Sequence, residues 1–236
     1  MKLAPALNQA KIIKRYKRFL ADIELPNGDV ITIHCPNTGS MKACVVPGSA
    51  CWFSRSDNPK RKYPFTWEVA TADSGALVGI NTHRANALVV EAIETGVVEA
   101  LRGYETLRTE VKYGEQNSRI DILLQSEGLP ECYVEVKNVT LENGTGEHCI
   151  FPDAVTDRGA KHLEELMHMR QQGCRAVLFF CVQHSRAKAV GVADEIDPRY
   201  GQLLRQAIAE GVEVMAYGAD LSDSEIVLSR QLPLEL

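Results

Sequence analysis

Along the first 80 residues, apolar positions come in short runs that turn chemistry interrupts every few residues. An apolar-rich segment over 11–25 meets Pro26-Asn27-Gly28-Asp29 and resumes over 30–35. Asn-Gly between two such segments supplies the positive φ that a tight hairpin needs. Pro36-Asn37-Thr38-Gly39 turns the chain again, and further short runs cover 50–54, 65–72 and 76–80. Between them stand Pro47-Gly48, a basic loop over 55–62 and Asp73-Ser74-Gly75, all residue types that favour turns. Five or six short strands without a helical period among them predict a small closed barrel over residues 1–80.

From residue 81 the period changes. Leu88, Ala92 and Ile93 fall near helical spacing within 85–100, and strand-like runs follow at 106–113, 119–125 and 132–139. Thr156 stands where a helix N-cap belongs, ahead of Leu163, Leu166 and Met167. After it come a strand over 176–183, a helix over 199–210 and a strand over 212–217. The order αβββαβ with a further αβ unit predicts an α/β domain over 81–236, and an α+β chain as a whole. No fixed-period repeat is present, which excludes a solenoid. Among small barrels, the five-stranded OB-fold binds oligonucleotides on a strand face and its loops.

At 236 residues the chain has room for two domains, and 45% hydrophobic against 24% charged residues excludes global disorder. The longest apolar runs, such as 176–182, fall far short of the roughly 20 residues of a membrane helix. No apolar stretch of signal-peptide length follows the first N-terminal charge, so no secretory signal is visible and a soluble, cytoplasmic protein is expected. None of the seven cysteines pairs at C-x2-C or C-x4-C spacing, which disfavours a zinc module and predicts reduced thiols.

The net charge of −5 hides an asymmetry: residues 1–80 hold eleven Lys and Arg against six Asp and Glu, and the remainder is acidic. A basic barrel suits a polyanion, and an acidic second domain a cation. Within the barrel, Arg15, Lys17 and Phe19 alternate onto one strand face with Tyr16 and Arg18 on the other. Lys60, Arg61 and Lys62 precede Tyr63, Phe65 and Trp67. Cations for phosphates with aromatic faces for bases is the chemistry of non-specific and single-strand binders, although alternating aromatics equally suit a barrel core.

Glu135-Val136-Lys137 lies in a strand, so Glu135 and Lys137 share a face and Val134 and Val136 the other. Fourteen residues earlier Asp121 sits among apolar neighbours in the preceding strand, where a carboxylate needs a partner. A Mg²⁺ or Mn²⁺ ion shared by Asp121 and Glu135 supplies one, since Mg²⁺ uses one or two carboxylates, retained waters and phosphate oxygens. Lys137 then orients the attacking water or stabilises charge on the phosphate. Glu110-Val111-Lys112 repeats the spacing, but no aspartate stands in a strand just before it. Asp-x13-Glu-x-Lys inside αβββαβ resembles the PD-(D/E)xK nuclease-like superfamily. That resemblance implies that a first-helix acid can join the metal, with Glu91 the first candidate and Glu110 the second. Downstream, Asp157 suits the positive end of a helix, and Arg158 and Lys161 are candidates to reach a phosphate over the cleft. His162 and His168, six residues apart, read as surface or packing histidines. The signatures of zincins, serine hydrolases and mononucleotide- or dinucleotide-binding loops are absent.

Four longer motifs narrow the field: Tyr16-Lys17-Arg18-Phe19-Leu20-Ala21-Asp22, His34-Cys35-Pro36-Asn37-Thr38-Gly39-Ser40-Met41, Ser56-Asp57-Asn58-Pro59-Lys60-Arg61-Lys62-Tyr63-Pro64 and Phe151-Pro152-Asp153-Ala154-Val155-Thr156-Asp157-Arg158-Gly159. With Ser118-Arg119-Ile120-Asp121 and Tyr133-Val134-Glu135-Val136-Lys137, they resemble the bacterial sugar fermentation stimulation protein A family over almost the whole chain. The resemblance implies an OB-like domain, a nuclease-like domain, non-specific DNA binding and a regulatory link to maltose metabolism. The reading adopted is a non-specific DNA-binding regulator that carries a nuclease-like metal site; the alternative is a Mg²⁺-dependent nuclease whose barrel holds the strand.

Overall fold

The computed structural model describes residues 1–114 and 118–236. Its N-terminal strands are β1 (Asn8–Tyr16), β2 (Leu20–Glu24), β3 (Val30–His34), β4 (Ala50–Arg55), β5 (Phe65–Thr71) and β6 (Leu77–Gly79). β1, β2 and β3 form an antiparallel meander, β4 pairs with both β1 and β5, and β6 extends β5. A parallel bridge from His34 to Thr66 joins β3 to β5 and closes five strands into a barrel, leaving no free edge among them. Ile12, Ile23, Ile33, Phe53 and Trp67 fill its interior.

Two barrel expectations are corrected. Residues 11–25 are not one strand: β1 ends at Tyr16, and Lys17 and Arg18 take left-handed φ values of 50° and 64° that reverse the chain into β2. Lys17, Arg18 and Phe19 are exposed in this turn and share no strand face with Arg15. Trp67 is fully buried and donates its indole N–H to the Val69 carbonyl at 2.9 Å, while Phe65 packs edge-on against Phe53. Those aromatics belong to the core.

The chain continues through α1 (Ala85–Glu94), β7 (Thr106–Tyr113), β8 (Ser118–Gln125), β9 (Cys132–Val139), β10 (Leu141–Asn143), β11 (His148–Phe151), α2 (Asp157–Gln171), β12 (Arg175–Val182), β13 (Ala189–Val192), α3 (Pro198–Ala209), β14 (Glu213–Leu221), β15 (Ile226–Gln231) and β16 (Leu234–Glu235). The main sheet runs β15-β14-β12-β9-β8-β7, with β9, β12 and β14 parallel at its centre. Leu88, Val89 and Ala92 of α1 pack on one face with Ile122, Val134 and Val136. Leu163 and Leu166 of α2 and Leu204 of α3 pack on the other with Leu178 and Phe180. Covered on both faces, β12 is an unbroken apolar run rather than an alternating one. Thr156 caps α2 by accepting the Gly159 amide. β10, β11, β13 and β16 form a small second sheet that the sequence pattern leaves unassigned.

The two halves are joined by side chains as well as by the chain. Leu3 and Leu7 pack into the α1 core, and their amides donate to Ser224 and Asp223 beyond β14. All seven cysteines are free thiols. Among the described residues, no helix is long and apolar enough to cross a membrane.

Candidate active site

The site begins where a ladder stops. β8 and β9 pair through Leu124–Cys132, Leu123–Tyr133 and Ile122–Val134, and go no further. Facing alternation breaks at the same place, since Ile122 and Leu124 join the α1 core while Ile120 joins the α2 core. The Val136 amide is thereby released from the ladder and donates to Asp121 Oδ2 at 2.8 Å, and Asn86 of α1 donates to Oδ1 at 2.8 Å. Opposite, Glu110 takes a left-handed φ of 56° and drops out of the β7–β8 pairing. Positive φ in a non-glycine residue inside a strand is costly and concentrates at functional sites.

Glu135 lies under the cleft floor, 2% exposed. Its Oε1 takes Lys137 Nζ at 2.8 Å and contacts His162 Nδ1, which lies 2.9 Å from Lys137 Nζ. Arg158 Nε donates to His162 Nε2 at 3.4 Å, which assigns the ring proton to Nδ1, directed at Glu135. Oε2 of Glu135 is buried and has no hydrogen-bond partner among the described residues. Burial opposes ionisation of Glu135, but the Lys137 charge and the His162 contact win and hold its carboxyl below the usual range. Asp121 goes the other way: burial first, then the Glu135 charge, push it up to about 6.

Asp121, Lys137 and Arg158 line one open cleft of about 1050 Å³, together with Asn86, Glu91 and Glu110. The sequence-selected Asp, Glu and Lys are therefore brought together. Glu91 is on the wall, ion-paired with the N-terminal ammonium of Met1 and half exposed. Lys161 does not line the cleft, and Asp157 pairs with Arg199 at 3.6 Å. Of the two readings left open for His162, surface or packing, the structure gives packing: it is buried, with its ring against Glu135. Its partner is 27 residues away on a strand, a distance that helix periodicity does not reveal. Asn86 gave no signal beyond its place on α1.

Among the described residues, no three acidic, histidine or cysteine side chains form a metal cage. Two carboxylates do suit a hard cation that keeps waters and takes phosphate oxygens. The unpartnered Oε2 of Glu135 and the disfavoured ionisation of Asp121 are what a cation between them would relieve.

The barrel cations divide. Arg15 is spent inside the fold, donating to the carbonyls of Asn37 and Gly39 at 2.9 and 3.0 Å. Lys17, Arg18, Lys60 and Lys62 are exposed and Arg61 half-buried.

Comparison with known proteins covers both halves. The family described as the sugar fermentation stimulation protein RE domain matches residues 83–225, and that described as the SfsA N-terminal OB domain matches residues 13–80. A sugar fermentation stimulation protein homolog of Shewanella loihica is 58% identical, with 98% of each chain covered. One from Shewanella frigidimarina is 61% identical over 94% of each chain. The solved structure of Pyrococcus furiosus SfsA in complex with Ca²⁺ superposes with a TM-score of 0.88 at 25% identity, over 100% of this chain and 98% of that one.

Proposed function

The chain belongs to the sugar fermentation stimulation protein family, and from that premise we propose that it is a divalent-cation-dependent nuclease. The observation that carries the reading is the buried, half-unpartnered carboxylate of Glu135, next to a cleft that Asp121, Lys137 and Arg158 line. The Ca²⁺ held by the Pyrococcus furiosus relative supports a divalent ion here.

Asp121 and Glu135 would hold the ion, which supplies neutralisation of phosphate charge and an acidified water. Lys137 has one ammonium proton committed to Glu135; the others are free to orient a nucleophile and to stabilise charge on the phosphate oxygens as it grows. Arg158 screens the phosphate from the rim. His162 touches no substrate; it fixes the carboxylate and the ammonium from behind, as a positioning residue. Lys17, Arg18, Lys60, Arg61 and Lys62 give the barrel a strand-holding surface through phosphate contacts.

A second reading, non-specific DNA binding without cleavage, is favoured by one observation: Oε1 of Glu135 is already engaged by Lys137 and His162. Incubating the protein with labelled single-stranded, duplex and branched DNA and with RNA, in Mg²⁺, Mn²⁺ or EDTA, separates the two. Metal-dependent cutting is expected. Salt-sensitive binding with every substrate intact would overturn the nuclease reading in favour of the second.

A further inference from the structure

Beside the cleft, and sharing Thr82 and Asn138 with it, a second cavity of about 270 Å³ lies between the barrel and the second domain. The barrel loop 37–39 forms one wall; Ile150, Phe151 and Asp153 belong to the other. This junction is built rather than incidental. Arg15 ties down the loop carbonyls, and Asp153 Oδ2 accepts the Ser40 amide at 2.8 Å. A Cβ at Gly39 would stand 2.3 Å from that carboxylate, so only glycine permits the approach.

Its chemistry differs from that of the cleft. Among the described residues no lysine or arginine lines it and one carboxylate does, which disfavours a phosphate and favours a neutral, flat ligand carrying N–H groups. Phe151 offers a half-buried ring. Asn138 Oδ1 accepts Gln183 Nε2 at 2.6 Å, leaving Nδ2 buried without a partner among the described residues; exchanging O and N in both amides still leaves one Asn138 polar atom free of them. We propose that this cavity takes a nucleobase turned out of the strand whose phosphate lies at Asp121. The assignment rests on the nucleic-acid reading above and deepens it. Turning out a base costs least in single strands, and stacking with edge hydrogen bonds offsets the cost.

The test is photo-crosslinking of the full chain, in Ca²⁺, to a single strand carrying 5-iodo-deoxyuridine, with affinity followed by fluorescence anisotropy. Label is expected on the peptide containing Phe151. Thr38→Trp, which places an indole at the exposed lip of the cavity, should lose that label and weaken strand binding by roughly 5- to 150-fold, the value of one stacked base. A bound strand that labels only other peptides in the wild type overturns the cavity assignment and leaves the nucleic-acid reading standing. No binding of any strand overturns both. Labelling by free 5-iodo-deoxyuridine monophosphate but not by the strand would make this a nucleotide site and overturn its assignment to a strand.

Discussion

Glu142 and Glu135 are both buried glutamates in contact with a buried histidine, yet one is saturated and the other is not. Glu142 accepts the Ser74 amide at 3.1 Å through Oε1, and the Ser74 hydroxyl at 2.5 Å and His184 Nε2 at 2.9 Å through Oε2. Ser74 belongs to the barrel half and Glu142 and His184 to the other, so this network braces the two. Glu68 is likewise satisfied at both oxygens by Arg84, Ser54 and Asn81. Glu135 keeps one oxygen unpartnered, beside a second carboxylate whose ionisation is disfavoured. A fold that satisfies Glu142 and Glu68 at both oxygens leaves one oxygen open on the glutamate next to the cleft, and that difference marks the candidate site.

The largest effect should fall on cleavage. Glu135→Gln is expected to lower metal-dependent cutting by roughly 100- to 1000-fold, whereas Glu142→Gln leaves the specific activity of the folded protein within about twofold. Equal losses in a gel assay would erase the contrast.

Stability should move in opposite directions. Glu142→Ala strips three donors of their buried acceptor and is expected to cost about 3 kcal/mol, a fall in Tm of roughly 6–12 °C. Asp121→Asn removes a charge that burial and Glu135 oppose, and should stabilise the metal-free protein at pH 7.5 by about 1–2 kcal/mol. Thermal melts in EDTA give both signs.

Divalent ions should then raise the wild-type Tm, with about 2.7 kcal/mol gained at a hundredfold excess over Kd. Glu142→Gln should keep this shift and Asp121→Asn lose it. Calorimetry that finds no Mg²⁺ or Mn²⁺ binding to the wild type, even with DNA present, would remove the ion from the account.

The smallest effect is in the pH dependence. The Asp121 carboxyl is raised from 3.8 to about 6, so its contribution to metal-free stability is full below its ordinary value and lost as pH rises through about 6. His184 is held below its ordinary 6.5, by burial against the opposing pull of Glu142; its contribution is present above 6.5 and lost as pH falls. The two partly cancel between pH 7 and 5. Asp121→Asn should therefore lose stability more steeply than the wild type on acidification, by under about 1.4 kcal/mol per unit.

Much of this was legible in the chain. The Asn27-Gly28 turn, the Thr156 cap and the Asp121, Glu135 and Lys137 set each carry a local signal, either a special φ, a cap hydroxyl or charge in an apolar strand. What was hidden depends on non-local partners. Lys17 and Arg18 read as strand because nothing marks them for left-handed φ. Arg15 read as a phosphate contact because the loop carbonyls it serves lie more than 20 residues on. β10, β11, β13 and β16 are short and pair mostly with one another, so their apolar pattern is too brief to announce a strand. His162 and Asn138 owe their places to contacts across the sheet.

The most direct test of the central claim is Lys137→Ala assayed for binding and for cutting in the same preparation. Lys137 is assigned to the water and the developing charge rather than to the ground-state complex, so the variant should bind divalent ions and DNA nearly as the wild type does while losing metal-dependent cleavage. Cleavage at the wild-type rate by Lys137→Ala, or cutting that survives the combined loss of Asp121, Glu135 and Lys137, would contradict the account.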